Sequence, residues 1–415
     1  MTALLVYFHQ SNDDAQLLGR LLYKQGLAYL ELDSGFVQRG INISPLNLKL
    51  DSSLQISSRT PFNGLHGVFA DSLPDGWGLL LMDRYFRQSA KSLEQITPLD
   101  RLAYMGDRAM GALSYQPDLG EMSEDNQYTP LVLSDIAQQS LQIYQGSVED
   151  VTTQLQILGG SPGGARPKAI IGLNQNQAIS GAGSLPDNYQ HWLVKFPTGS
   201  SKTAQAEGTV EYIYSIMARN AGIDFPKTQL IDTEQGAGFF ACQRFDRGDN
   251  NQRIHMHTFA GLVNADFRVP DADYSLLMRA TSHVTHSHPD LCEVLRRMIF
   301  NILSGNRDDH TKNFSFVMSM DGIWRLSGAY DITFNLGING HHSMSVMGHG
   351  QNISKKAIQD IADMIPLSPE KVNLMIEEIV QSLSQWRKLA QMFAVPGEII
   401  TEIDRYITKQ TKRIK

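Results

Sequence analysis

Cysteine is scarce in this chain of 415 residues, and its scarcity removes two classes of protein. Only Cys242 and Cys292 are present, far apart in the sequence and outside any CxxC pair. A disulfide framework and a cysteine-rich zinc module are therefore excluded, and a reducing compartment is expected.

Long apolar runs and an excess of positive charge are also missing. No stretch approaches the ~18 apolar residues of a membrane span, and the N-terminus, MTALLVYFHQSNDD, lacks the basic segment of a signal peptide. The formal net charge of −7 argues against a direct, sequence-independent grip on nucleic acid. These absences predict a cytoplasmic protein that does not engage a membrane.

The pattern of apolar residues predicts an α+β fold in which strands dominate the first half and helices the second. Strand-like runs, ALLVYF and GLAYLEL, precede a turn-rich stretch that leads into the helix-like LLLMDRYFRQ. The segment LQILGGSPGGARPKAIIGL predicts two strands joined by a glycine-rich loop. The polar segment 118–130 is interpreted as a linker. From about residue 250 the pattern is mostly helical, with an apolar face from Leu291 to Leu303. A second helix is expected to start at Ser368 and Pro369 and to carry a long apolar stripe from Val372 to Trp386.

The segment SGNRDDHTKNFSF, residues 304–316, places charged and amide side chains directly after that apolar helix. Asp308 and Asn313 have the D-x-x-x-x-N spacing of a protein-kinase catalytic loop, in which the acid accepts the hydroxyl proton and the amide ligates magnesium. Asp331 follows a strand-like segment, at the position of a second metal ligand. A lone D-x-x-x-x-N is more often a solvated loop, so this spacing needs independent support.

Support comes from segments earlier in the chain. GGSPGGARPK, residues 159–168, has four glycines in ten and ends on a lysine, which suits close approach of backbone N–H groups to phosphates. A flexible surface turn is the alternative. Lys195 ends the next predicted strand, and Glu211 on the following helix is a candidate ion-pair partner for it. Glycine loop, lysine, glutamate, D-x-x-x-x-N and aspartate thus occur in the order of a kinase.

With these segments the chain resembles the HipA family of bacterial toxin kinases along nearly its whole length. The segments that match are SLPDGWG, RLAYMGDRAMGALSY, SPGGARPK, WLVKFP, VEYIYSIMARNAGI, QRFDR, DDHTKNFSF and YDITFN. The resemblance implies a protein-kinase-like two-lobed fold. It divides the chain into an N-terminal α/β subdomain (1–125), a kinase N-lobe with the glycine-rich loop (126–247) and a mostly helical C-lobe (248–415).

The resemblance also implies an activity, cofactors and partners. Family members are ATP- and Mg²⁺-dependent serine/threonine protein kinases that phosphorylate a translation component, typically an aminoacyl-tRNA synthetase. A HipB-like helix-turn-helix antitoxin neutralises them, and the pair binds operator DNA chiefly through the antitoxin.

Roles carried over from the family fall on the matching positions of this chain. Asp308 is the implied catalytic base, Asn313 and Asp331 are the implied magnesium ligands, and Ser161 is the implied autophosphorylation site. A phosphate at Ser161 would repel the phosphates of ATP and favour a displaced loop. Gln243 stands where an acid is common, which leaves the polar contact at the hinge open. The implied nucleotide-binding residues are Gly163, Gly164, Ala165, Arg166, Pro167, Lys168, Lys195, Gln243, Arg244, Phe245, His310, Thr311, Lys312 and Asn313.

Two other functions remain open at this point. A phosphatidylinositol-type lipid kinase shares part of the GNRDDHTKN pattern, although the acidic balance of the chain disfavours membrane binding. A non-catalytic co-repressor of a DNA-binding partner is also possible, and the complete set of base and metal residues disfavours it. The cluster His283, His286 and His288 lacks a thiol or acidic partner at metal-ligand spacing, so a polar loop is the preferred interpretation.

Overall fold

The computed structural model describes residues 3–11, 14–88, 92–120, 128–148, 151–160, 163–175, 177–233 and 238–414. The chain divides into two compact units. The first comprises Met1–Ser200, Ala241–His257 and Val317–Ile323, and the second comprises Ser201–Phe240, Thr258–Phe316 and Trp324–Lys415.

The regular elements follow the α+β order expected from the sequence. The strands are β1 (Leu4–Ser11), β2 (Asp14–Lys24), β3 (Leu27–Leu32), β4 (Gln55–Ile56), β5 (Leu113–Gln116), β6 (Lys168–Asn174), β7 (Gln177–Ser180), β8 (Gln190–Lys195), β9 (Thr228–Ile231), β10 (Phe239–Gln243), β11 (His255–Thr258), β12 (Ser315–Met318) and β13 (Trp324–Leu326). The helices are α1 (Ser34–Gln38), α2 (Gly67–Ala70), α3 (Gly76–Gln88), α4 (Pro98–Met105), α5 (Leu133–Tyr144), α6 (Thr153–Gly159), α7 (Lys202–Gln205), α8 (Glu207–Asn220), α9 (Phe259–Val263), α10 (Tyr274–Thr285), α11 (His288–Ser304), α12 (Lys355–Ala362), α13 (Pro369–Leu383), α14 (Trp386–Met392) and α15 (Gly397–Ile414).

The first unit contains an antiparallel sheet of order β4-β3-β2-β1-β5. Alternate residues of β3, namely Ala28, Leu30 and Leu32, are buried, as the period-2 pattern of a half-buried strand requires. Farther along the chain, β6 pairs antiparallel with both β7 and β8. The register sets Lys168, the first residue of β6, opposite Lys195, the last residue of β8.

The second unit is built around α11, whose apolar face is buried as its periodicity predicts. Val294, Leu295, Met298 and Ile299 are all fully buried. Ser287 caps the first turn by accepting a hydrogen bond from the Asp290 N–H. The helix therefore forms a rigid core element that ends where the SGNRDDHTKNFSF segment begins.

Two expectations about individual elements were wrong. The run LQILG is not a strand but the helix α6, which begins at the N-cap Thr152 and buries Leu155 and Leu158 on one face. Its apolar stretch is too short for period 2 and period 3.6 to be distinguished. The single helix expected from Val372 to Trp386 is divided, because α13 ends at Leu383 and α14 begins at Trp386.

Two other expectations concern the linker and the absence of a membrane span. The interpretation of 118–130 as a linker falls largely on residues 121–127, which lie outside the described residues. Within the part of the chain that the structure describes, none of the helices combines the length and the apolar character needed to cross a bilayer.

Candidate active site

The end of α11 fixes the position of the DDHTKN segment. Gly305 terminates the helix in the left-handed conformation, with φ +80°, and its N–H donates to the Asn301 carbonyl over 3.1 Å. A Cβ atom at this position would come within 2.8 Å of the rings of Phe334 and Tyr406. Glycine is therefore required both by the backbone conformation and by the close packing.

The adjacent aspartates Asp308 and Asp309 occupy opposite environments. The side chain of Asp308 is 53% exposed, whereas Asp309 is completely buried. Asp309 accepts hydrogen bonds from the Tyr274 hydroxyl over 2.8 Å and from the Ser343 N–H over 2.9 Å. Its Oδ2 atom also lies 2.9 Å from His342 Nδ1. Asp309 thus ties the loop to two other segments, while Asp308 faces outward.

The network around Asp309 continues back to α11. The Asn301 amide donates to the Tyr274 hydroxyl over 3.1 Å, and the Asn306 amide donates to Asn301 Oδ1 over 3.0 Å. Burial, followed by the charge of Asp309, raises the pKa of Tyr274 well above its usual value. Tyr274 therefore remains a neutral hydroxyl that can donate to the carboxylate. The loop is anchored by a connected set of buried polar groups.

Asn313 is oriented by a hydrogen bond within the same loop. Its amide nitrogen donates to the Asp308 carbonyl over 2.6 Å. Since only an NH₂ group can face a carbonyl oxygen favourably, the Oδ1 atom of Asn313 is directed elsewhere as an acceptor.

Hydrogen bonds of the neighbouring residue Tyr330 hold the Asp331 segment against the loop that contains Asn313. The Tyr330 hydroxyl donates to the Lys312 carbonyl over 2.6 Å and lies 2.6 Å from the Ser315 hydroxyl. Asp331 itself has φ +56°, a backbone conformation that costs energy for a residue other than glycine. The residues on both sides of it, Tyr330 and Ile332, line a small cavity together with Asn313. The second unit thus brings the segments of Asp308, Asn313 and Asp331 together.

The middle of the loop, His310 to Lys312, packs on an aromatic ring. The Lys312 ammonium lies 4.6 Å from the centroid of Phe267, and the ring of His310 lies 5.4 Å from the same ring. Thr311 is buried, and within the described residues neither its hydroxyl nor the His310 Nδ1 atom has a hydrogen-bond partner. Asn306 Oδ1 and Arg307 Nε, in the same segment, are likewise buried without a hydrogen-bond partner among the described residues.

For the phosphotransfer that the family resemblance implies, Asp309→Asn is expected to lower the turnover about tenfold and to leave the KM for ATP nearly unchanged, because it loosens a positioning network and replaces none of the implied nucleotide-binding residues. Steady-state kinetics with varied ATP measures both constants. The control is Asp360→Asn, which alters a surface carboxylate bound to Lys356. An unchanged turnover in Asp309→Asn would contradict the proposal that Asp309 positions the loop.

The implied phosphate-binding residues lie in the first unit. Gly163 and Gly164 are at least partly exposed, whereas Lys168 and Lys195 are buried opposite each other on β6 and β8. The Lys168 ammonium donates to the Gly163 carbonyl.

The implied hinge contains a buried ion pair. The Arg244 guanidinium donates to both Asp246 oxygens, over 2.8 and 2.6 Å, and Asp246 also accepts from Arg247 over 2.9 Å. The Arg244 N–H donates to the His191 carbonyl over 3.0 Å. The Arg244 side chain therefore braces the segment internally.

Two family models match the sequence in succession. The HipA N-terminal domain matches residues 12–116, and the HipA-like C-terminal domain matches residues 160–387, more than half of the chain. The chain belongs to the HipA family.

Two individual proteins are also similar to this chain. A candidate kinase of Sinorhizobium fredii, Y4dM, is 33% identical over 156 residues, which cover 34% of this chain and only 36% of that protein. HipA of Shewanella oneidensis MR-1, solved in complex with HipB and operator DNA, has 16% identity and a TM-score of 0.69. That likeness covers 98% of this chain and 96% of the other. The predicted fold class, α+β of the HipA kinase-like type, is confirmed.

Sequence reasoning left several residues of this HipA-family chain without a role. His342 and Tyr274, which hold Asp309, lie more than 30 residues from it in sequence, and no local pattern marks them. Phe267, whose ring packs against His310 and Lys312, lies in a stretch without regular secondary structure. Asp75 belongs to the SLPDGWG segment, which the family resemblance had already marked but which suggested no chemistry.

The remaining calls from the sequence concern Glu211, Ser161 and the metal ligands. Glu211 lies on α8 and is completely buried. Ser161 lies outside the described residues. Among the residues that the structure does describe, no cluster of three or more His, Cys, Asp or Glu side chains is arranged to hold a metal ion. A site formed by one asparagine and one aspartate does not require such a cluster.

Proposed function

We propose that this chain is a HipA-type toxin that acts as an ATP- and Mg²⁺-dependent serine/threonine protein kinase. Its substrate would be a translation component of the aminoacyl-tRNA synthetase class. Membership of the HipA family supports the activity. The likeness to a HipA solved with HipB and operator DNA supports a HipB-like antitoxin as the partner, with operator DNA reached chiefly through that antitoxin.

The observation that carries the proposal is the contrast between Asp308 and Asp309. A kinase base must be held rigidly and yet remain accessible to a substrate hydroxyl. Asp309 supplies the rigidity through its buried network, and Asp308 supplies the accessible carboxylate. In this proposal Asp308 accepts the proton of the substrate hydroxyl as the hydroxyl oxygen bonds to the γ-phosphorus, while the bond from the γ-phosphorus to the oxygen that bridges to the β-phosphate breaks and ADP leaves.

The donor set fits a magnesium ion. Asn313 Oδ1 is turned away from its internal hydrogen bond, and Asp331 provides a carboxylate. Such oxygen donors are the ligands that Mg²⁺ takes from proteins, alongside phosphate oxygens and water. Asn313 and Asp331 would hold the ion, which when bound neutralises charge on the phosphates.

The nucleotide-binding part of the proposal begins with residues of the first unit. Lys168 and Lys195, opposed on β6 and β8, would contact phosphates, with Gly163 to Pro167 as the surrounding loop. Glu211 on α8 remains the proposed ion-pair residue. At the hinge, Gln243 to Phe245 would meet the adenine through main-chain groups, because the Arg244 side chain is committed to Asp246. The proposed subdomains remain 1–125, 126–247 and 248–415.

Incubation of the full chain with γ-labelled ATP and Mg²⁺ tests the proposal. Label is expected on Ser161, located by mass spectrometry, and on an aminoacyl-tRNA synthetase when a bacterial lysate is added. Chelation of Mg²⁺ with EDTA should abolish both signals. Absence of label from the chain and from every lysate protein, with magnesium present, would contradict the proposed kinase activity.

A further inference from the structure

The turn before α3 holds the glycine loop of the first unit. The Asp75 carboxylate accepts a hydrogen bond from the Gly164 N–H. The Trp77 N–H donates to the Gly164 carbonyl over 3.0 Å, and the Trp77 indole donates to the Lys168 carbonyl over 3.1 Å. Residues more than 80 positions apart are therefore joined by three hydrogen bonds at the loop.

The turn is shaped for this contact. Gly76 has φ +47°, and a Cβ atom on it would lie 2.6 Å from the Gly164 carbonyl oxygen. A Cβ atom on Gly78 would lie 3.1 Å from the Gly160 carbonyl oxygen. Side chains at these positions would push the turn away from the loop, so the two glycines of the DGWG sequence permit the close approach.

The contact occupies groups that the proposed nucleotide would use. A backbone N–H of a glycine loop binds phosphate oxygen, and here the Gly164 N–H faces a carboxylate, which is also an anion. The Lys168 ammonium donates to the Gly163 carbonyl, within the same loop. A phosphate that binds this loop must therefore replace Asp75 at Gly164 and draw Lys168 away from Gly163.

We propose that Asp75 is a built-in competitor of the nucleotide phosphate, which lowers the affinity of the glycine loop for ATP until the turn at 72–78 releases it. This inference rests on the proposed function in one respect, that ATP binds at this loop. A carboxylate beside the loop removes one donor from the phosphate and adds a negative charge near it. Both effects weaken binding.

Binding of the non-hydrolysable analogue AMP-PNP with Mg²⁺, measured by calorimetry on the full chain, tests the inference. Asp75→Ala is expected to bind roughly tenfold more tightly than the wild type, the scale of one charge-assisted hydrogen bond. Asp75→Asn keeps an acceptor for the Gly164 N–H but loses the charge, so its affinity should fall between the two. The control is Asp187→Asn, which removes the same charge from an exposed position of the same unit.

Hydrogen exchange gives a second measurement that needs no nucleotide. The amide of Gly164 should exchange faster in Asp75→Ala than in the wild type, and the amides of β6 should be unchanged. Equal or weaker AMP-PNP binding by Asp75→Ala, with the wild type binding, would overturn the competitor role and leave the kinase proposal intact. Failure of every variant to bind would overturn both.

Discussion

Asp308→Asn is expected to reduce phosphotransfer by about 10²–10⁴-fold, the range typical for loss of a general base. The substitution keeps the shape of the side chain and removes its ability to accept a proton. Because the Asp308 side chain is 53% exposed, the variant should unfold at nearly the same temperature as the wild type. Initial rates with γ-labelled ATP and thermal unfolding, measured on the same preparation, test both expectations.

The matched variant at the neighbouring position makes this test sharper. Asp309→Asn changes a buried carboxylate held by Tyr274, Ser343 and His342, so its effect on the rate should be smaller and its effect on stability larger. A larger loss of rate in Asp309→Asn than in Asp308→Asn would indicate that Asp309 is the base and that Asp308 is not. Rates for Asp308→Asn close to wild type would remove the base assignment.

The division of roles within this Asp-Asp pair was beyond sequence reasoning for a physical reason. The spacing to Asn313 selects Asp308, but burial of Asp309 depends on Tyr274 and His342, which lie 35 and 33 residues away. Such contacts depend on tertiary packing and leave no local period. The same holds for Asp75, whose partner Gly164 is 89 residues farther along the chain.

Elements whose cause is local were predictable. The helix α11 carries its own apolar face, N-cap and terminating glycine, and β8 ends at Lys195 as its short apolar run indicates. The short helix α6 was mistaken for a strand, because LQILG offers fewer than two helical turns of pattern. Prediction therefore succeeded where a segment carried enough of its own apolar pattern, and failed where the pattern was too short or the outcome depended on distant partners.

Asp246→Ala is expected to lower the free energy of unfolding by about 3–5 kcal/mol, the usual cost of leaving buried charges without their partner. Asp246 is completely buried and accepts hydrogen bonds from Arg244, Arg247 and the Gly111 N–H. Removing the carboxylate leaves two guanidinium groups buried together. Denaturant unfolding followed by circular dichroism measures the loss, and Asp249→Ala, an exposed aspartate three residues later, is the control.

The pH dependence of the stability that Asp246 contributes is an independent test of the same ion pair. Burial alone would raise the pKa of Asp246, but Arg244 and Arg247 outweigh burial and hold that pKa well below its usual value. The stabilisation is therefore fully present above the unfolded-state pKa of about 3.9, and it is lost as the pH falls below that value. The difference in stability between wild type and Asp246→Ala should be constant near neutral pH and shrink in acid. A difference that grows as the pH falls would contradict the assignment of Asp246 as a buried, ionised partner of the two arginines.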